Sequence, residues 1–180
     1  MNISVLGAGA WGTTLAILLS DNGHNVTLWE YNDTYANMLE EKRENIIYLP
    51  GIPFPKNLRI SNSLDQAATG KDIIVTAIPT QFTRSALQQI SFEKLNNTVL
   101  VSVSKGIEKG HLLTVSQIYR DVFPQLTDHQ VGVLSGPSHA EEVSKKIPQQ
   151  SWPPARITTL RNSSRTPSLT AISVYIHPLM

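Results

Sequence analysis

The most constraining stretch of this chain lies at its start, Asn2-Ile-Ser-Val-Leu-Gly-Ala-Gly-Ala-Trp-Gly12. Ile3, Val5 and Leu6 form a short apolar run of the kind that makes a buried parallel strand. Gly7, Gly9 and Gly12 follow in Gly-x-Gly-x-x-Gly register, and Thr13 to Ser20 then reads as a helix. Each glycine has its own task in that reading. Gly7 turns the chain off the strand, Gly9 lets backbone approach a pyrophosphate, and Gly12 lets helix and strand pack closely. Free N–H groups at the positive end of the helix would hold the phosphates. The register also occurs in purely structural turns, but its place between strand and helix favours a dinucleotide site.

Strand and helix signals alternate from there. Asp21-Asn22-Gly23-His24 stops the helix, and Asn25–Trp29 alternates as a second strand. Glu30, 18 residues past Gly12, stands where an acid accepts hydrogen bonds from an adenosine ribose; a solvated strand-end glutamate is the alternative. A carboxylate there repels a 2′-phosphate, which favours NAD over NADP. Tyr31 would either stack on adenine or cover the sheet edge. A helix runs from Asp33 to about Glu44, and Ile46–Pro55, with three prolines, reads as an apolar loop that packs or lines a site. Leu58–Ile60 is a short strand, followed by a small helix, Leu64–Thr69, capped by Ser63.

The strand Asp72–Ile78 ends in the turn Pro79–Phe82, at the edge where open α/β sheets collect ligands. Phe82 would touch a cofactor or pack in the core. A helix, Thr83–Ile90, leads to the strand Thr98–Val103, which delivers Ser104-Lys105-Gly106-Ile107-Glu108. Lys105 could reach an anionic substrate from that lip, or simply be a solvated turn lysine. A helix over Leu112–Phe123 and a strand over Gln130–Leu134 precede Ser135–Val143, another strand-to-helix turn. The expected fold is α/β, a doubly wound parallel sheet of Rossmann-like kind, over residues 1–148.

Composition removes several alternatives. The chain has no cysteine and its first residues show no signal-peptide pattern, which suits a cytoplasmic protein. No apolar run reaches the roughly 18 residues of a membrane span. The net charge is +1, but three arginines and no acid lie beyond Pro148, so residues 1–148 hold 12 basic against 14 acidic side chains, a net of −2. That leaves little electrostatic support for nucleic acid. The five histidines show no metal-ligand spacing.

Taken together, Gly-Ala-Gly-Ala-Trp-Gly-Thr (7–13), Tyr48-Leu49-Pro50, Val103-Ser-Lys-Gly-Ile-Glu108 and Leu134-Ser-Gly-Pro-Ser-His-Ala-Glu-Glu142 resemble one family. It is the bacterial-type NAD(P)-dependent glycerol-3-phosphate dehydrogenases, and the resemblance covers the N-terminal domain up to about residue 148. It implies reversible reduction of dihydroxyacetone phosphate to sn-glycerol 3-phosphate, which feeds phospholipid synthesis. By motif, Ala10 and Trp11 line the pyrophosphate turn, and Tyr31, Asn32, Tyr48 and Phe82 surround the rest of the cofactor. Lys105 lies between nicotinamide and substrate, Gly136 and Ser138 contact the substrate, and Ala140 the cofactor. Many members have His or Arg where Tyr31 and Asn32 stand, cations suited to an NADP phosphate, so NAD is expected first and NADP second. In the family the principal acid/base lysine and the substrate-phosphate residues belong to a helical C-terminal domain that these 180 residues do not show, and Lys105 plays a supporting part. Dimerisation is open for a full-length member.

After Ile147-Pro148 the pattern breaks. Residues 149–180 lack acids and glycine and show no periodicity before Leu169–Ile176. Gln149-Gln-Ser-Trp-Pro-Pro can be written CAA-CAG-TCG-TGG-CCG-CCN. One added A shifts it to ACA-ACA-GTC-GTG-GCC-GCC, Thr-Thr-Val-Val-Ala-Ala, which is how the family continues. The expectation is a one-base deletion, with a genuine divergent tail or linker as the alternative; either way an inactive cofactor-binding half, a poorly structured tail and an unpaired last sheet edge are expected. Two other functions stay open: a stand-alone NAD-binding or sensing module, and a dehydrogenase for another hydroxyacid.

Overall fold

The computed structural model describes residues 1–134 and 157–159. Six parallel strands form its sheet: β1 (Asn2–Leu6), β2 (Asn25–Trp29), β5 (Arg59–Ser61), β6 (Ile73–Thr76), β7 (Val99–Ser102) and β8 (Val131–Leu134). Their order is β5-β2-β1-β6-β7-β8, followed by β9 (Ile157–Thr159), which pairs antiparallel with β8. β1 lies between β2 and β6, and there the winding reverses. That is the doubly wound α/β fold expected, with one antiparallel edge strand added.

The two faces bury different residues. On one, α1 (Ala10–Asp21) sets Leu15, Ala16 and Leu19 against Ile3, Val5, Val26 and Leu28. On the other, α4 (Thr80–Leu87) and α5 (Val115–Val122) set Leu87, Ile118 and Tyr119 against Leu6, Ile74, Leu100 and Val131. β6 is buried at every position, which is why it reads as an apolar run, whereas β2 alternates. Two helices bury less: α2 (Asp33–Lys42) buries only Ala36 and Leu39, and α3 (Leu64–Ala68) buries Ala67 and Ala68.

Several element bounds differ from the sequence expectation, for local reasons. α1 starts at Ala10 instead of Thr13, because Gly12 is tolerated inside its first turn. α4 starts at Thr80 instead of Thr83, with Pro79 as its N-cap, so Phe82 lies in a helical turn. α5 starts at Val115 instead of Leu112: Leu112 has a left-handed φ of 55°, and Thr114 and Gln117 form a capping box. The apolar stretch expected as a loop is partly a hairpin, β3 (Glu44–Asn45) against β4 (Leu49–Pro53), joined by Ile46–Tyr48. α2 ends at Lys42 because Arg43 turns left-handed, its guanidinium bonding Glu40 and the carbonyls of Pro55 and Leu58.

The turn after α1 matches its reading. Gly23, at φ 82°, donates to the carbonyl of Ser20 and His24 to that of Leu19, a Schellman end. Most of the tail lies outside the described residues, and so do Gly136, Ser138 and Ala140. The exception corrects an expectation: Ile157–Thr159 pairs with β8, so β8 is not an unpaired edge there.

Candidate functional site

Parallel strands send all their C-terminal ends to one edge, and the candidate residues gather there. After β1 the chain turns at Gly7, whose φ of 109° only glycine adopts readily. A side chain at Gly7 would also meet the Ala77 carbonyl oxygen at 2.9 Å, so the turns after β1 and β6 touch. Gly12 is tighter still, because a Cβ there would lie 2.0 Å from the Gly7 oxygen and 3.0 Å from the Ala77 Cβ. Gly9 differs from both. It is the N-cap of α1 with an ordinary φ of −70°, and no atom lies within 4 Å of where its Cβ would be. The Thr13 N–H donates to the Gly9 carbonyl at 2.9 Å, and the helix N–H groups before it have no acceptor within the helix. The three tasks read from sequence are thus separated by geometry: one turn, one packing contact and one open approach.

Glu30 follows β2 and is only 6% exposed, which removes the solvated alternative. Its Oε1 accepts the Asn32 N–H at 3.0 Å, and Asn32 Oδ1 in turn caps α2 by accepting from Tyr35 N–H at 2.9 Å. Asn32 is therefore first a helix cap. Tyr31, between them, is 75% exposed. Phe82 and Tyr48 are 64% and 55% exposed, so neither is a core residue. Three aromatic rings expected near a cofactor thus stand out into solvent. Trp11 is half-buried and packs on the α1 side of the core.

Lys105 is exposed on the loop after β7. That loop is tied to the β6 turn and α4 by bonds between distant segments. Ser104 Oγ donates to the Ile78 carbonyl at 2.6 Å, and Thr80 Oγ1 donates to the Lys105 carbonyl at 2.9 Å. Gln81 donates to the Ile107 carbonyl and accepts from the Lys109 N–H, both at 2.9 Å. Arg84 closes the set with a bidentate pair to Glu108, 2.8 and 3.0 Å, and a third contact to Asp121. The guanidinium holds the Glu108 carboxyl below its ordinary range, and Glu108 and Asp121 raise Arg84 in turn. His111 Nδ1 stands 3.3 Å from Glu108 Oε2.

The structure thus joins the glycine turn, the β6 turn and the lysine loop in one contiguous edge. Tyr31, Asn32 and Glu30 lie at the neighbouring end of β2, where Gly7 N–H donates to the Trp29 carbonyl at 2.9 Å. The sequence reading missed Asn45, which is fully buried and bonds the glycine turn to the hairpin. Its only signal was an asparagine just before an apolar run. Among the described residues there is no cluster of His, Cys, Asp and Glu that could hold a metal, and no helix long and apolar enough to cross a membrane.

Residues 2–152 match the family model described as NAD-dependent glycerol-3-phosphate dehydrogenase N-terminus. A glycerol-3-phosphate dehydrogenase (NAD(P)+) of Chlorobium phaeobacteroides is 47% identical over 148 residues, 82% of this chain and 44% of the relative. The chain therefore spans less than half the length of such relatives. Among solved structures, glycerol-3-phosphate dehydrogenase from Coxiella burnetii is 29% identical with a TM-score of 0.74, over 82% of this chain and 44% of that one. The yeast glycerol-3-phosphate dehydrogenase from Saccharomyces cerevisiae is 25% identical with a TM-score of 0.73, over 93% and 50%.

Proposed function

Because the chain belongs to the NAD-dependent glycerol-3-phosphate dehydrogenase family, whose N-terminal part it carries, we propose that its glycine turn holds the pyrophosphate of NAD and Lys105 serves the substrate. The opening over Gly9, the N-cap of α1, is the observation that carries this reading, since helix N–H groups there lack intrahelical acceptors. The residues fit such a group. When bound, NADH supplies a hydride for the carbonyl of dihydroxyacetone phosphate, and the product is sn-glycerol 3-phosphate for phospholipid synthesis. Glu30 accepts from the adenosine ribose and its charge disfavours a 2′-phosphate, so NAD is preferred over NADP. Tyr31, Asn32, Tyr48, Phe82 and Ala140 flank the cofactor, and Ala10 and Trp11 line the phosphate turn. Lys105 places a cation beside the carbonyl oxygen, where negative charge develops in the transition state. Gly136 and Ser138 hold the substrate.

These 180 residues cover less than half of the relative's length, and the resemblance places the main proton donor and phosphate-binding groups in the other half. A polypeptide limited to these 180 residues should bind nucleotide without turnover. A one-base deletion near the Pro148 codon accounts for the tail, and the absence of cysteine suits the cytoplasm. Two titrations and one assay test this. NADH should quench or sensitise the fluorescence of Trp11, NADPH should bind about tenfold more weakly, and dihydroxyacetone phosphate should leave NADH unoxidised. No binding of NADH at millimolar concentration would sink the nucleotide reading. Turnover would sink only the claim that this chain is inactive, and tighter NADPH binding only the role of Glu30.

A further inference from the structure

Asn45 is polar, 0% exposed, and uses every hydrogen-bonding position of its amide. Its Nδ2 donates to the Ala8 carbonyl at 2.9 Å and to Thr13 Oγ1 at 2.7 Å. Its Oδ1 accepts from the Tyr35 hydroxyl at 2.5 Å and from the Tyr48 N–H at 3.0 Å. The orientation of the amide is forced, because the Ala8 carbonyl can only accept and the Tyr48 N–H can only donate. One side chain thereby joins the glycine turn, α1, α2 and the hairpin turn.

Two of those partners belong to opposite sides of the candidate site. Ala8 sits between the first two glycines of the turn, next to the opening over Gly9. Tyr48 ends the turn Ile46–Ile47–Tyr48, whose three large side chains are all exposed. The Tyr48 ring meets Tyr35 edge-on at 5.8 Å between centroids, so the Tyr35 that bonds Asn45 also steadies that ring. Burial raises the Tyr35 hydroxyl to about 12, so it stays a donor to Asn45 at neutral pH.

We propose that Asn45 is a positioning residue for the nucleotide: it locks the Ile46–Tyr48 turn to the glycine turn, so that the Tyr48 ring and the phosphate cradle meet one ligand in one geometry. This rests on the nucleotide reading above. A residue that only supports the fold would alter stability and leave the affinity of the folded protein unchanged. Asn45 acts on affinity, and does so through Tyr48.

The test is a double-mutant cycle on the 180-residue chain with NADH as the probe, at a temperature where circular dichroism shows every variant folded. Asn45→Ala and Tyr48→Ala should each weaken NADH about tenfold, and the double variant should be no weaker than about the worse single one. Losses that multiply to about a hundredfold, or an unchanged affinity for Asn45→Ala, would overturn the proposal. Should Asn45→Ala not fold, Tyr35→Phe takes its place, since it keeps the ring and removes one bond to Asn45. It should weaken NADH about threefold in the wild-type background and not at all beside Tyr48→Ala; the same loss in both backgrounds would overturn the proposal. A wild-type chain that fails to bind NADH overturns the nucleotide reading itself, an outcome separate from additivity in a chain that binds.

Discussion

The glycine turn and the lysine loop lie side by side at one sheet edge and are built by opposite means. The first is fixed by what is missing: Gly7 and Gly12 bring backbone against backbone, at distances no side chain tolerates. The second is fixed by what is added. Thr80, Gln81 and Arg84, all on the first turns of α4, reach across to residues 105 to 109 and hold them one bond at a time. A turn made by close approach has one way to be right and fails as a whole. A loop held by several side-chain bonds can lose one and keep most of its shape. For the proposed chemistry this places the phosphate cradle on the rigid side and the substrate lysine on the adjustable side.

Four changes would break or sharpen that contrast. The largest effect is expected from Gly12→Ala, since its Cβ would fall 2.0 Å from the Gly7 oxygen and only backbone can give way. It should destabilise the chain by at least about 3 kcal/mol in urea unfolding, and near-wild-type stability would show that the turn yields. Arg84→Ala comes next, because it leaves the buried Glu108 carboxylate without its bidentate partner. The loss should be smaller than for Gly12→Ala, with faster hydrogen exchange in residues 104–109 than in the glycine turn; equal exchange in both would erase the distinction.

Acid should find the same pair. Glu108 has a lowered pKa in the folded chain, so its contribution is present above the ordinary carboxylate value of 4.5 and is lost as the pH falls through the folded value. The stability gap between wild type and Glu108→Gln should therefore be widest near neutrality and shrink below about pH 4, whereas a gap constant with pH would mean the pair does not contribute as an ion pair. The smallest effect on stability belongs to Gly9→Ala. Its φ is ordinary and its surroundings are empty, so unfolding should shift by no more than about 1 kcal/mol. NADH affinity should nevertheless fall about tenfold or more, because the new methyl group occupies the proposed phosphate approach. A variant that binds as well as wild type would remove Gly9 from the site.

That same contrast explains what could be read from the residues alone. Glycine requirements are local, so the strand, the turn and the following helix were visible within Asn2–Ser20, and the structure gives Gly7 a positive φ, Gly12 a close packing contact and Gly9 open space. Helix starts were placed late, at Thr13 for Ala10 and at Thr83 for Thr80, because the glycine stretch and Pro79–Phe82 were read as turns before the helices when they lie at helix N-termini. The Lys105 loop was visible as residues but not as a structure, since Thr80, Gln81 and Arg84 lie more than 20 residues from what they hold. Asn45 is the extreme case. Its partners run from Ala8 to Tyr48, and no periodicity marks a buried amide that serves four segments.

The strand order has a consequence in time. Among the described strands β1 leaves the ribosome before the others, yet it ends in the middle of the sheet, with β2 on one side and β6 on the other. β2 closes one side early, by pairing Asn2 with Asn25, but Ile3 must wait for Ile73 on the other. Between the completion of β2 at Trp29 and the arrival of β6 at Ile73, synthesis takes roughly 2–9 s at bacterial and eukaryotic rates. For that interval the nascent chain presents Ile3, Val5 and Leu6 on an open strand edge. The same central position that later protects the glycine turn makes the newborn chain a client for whatever shields apolar edges during translation.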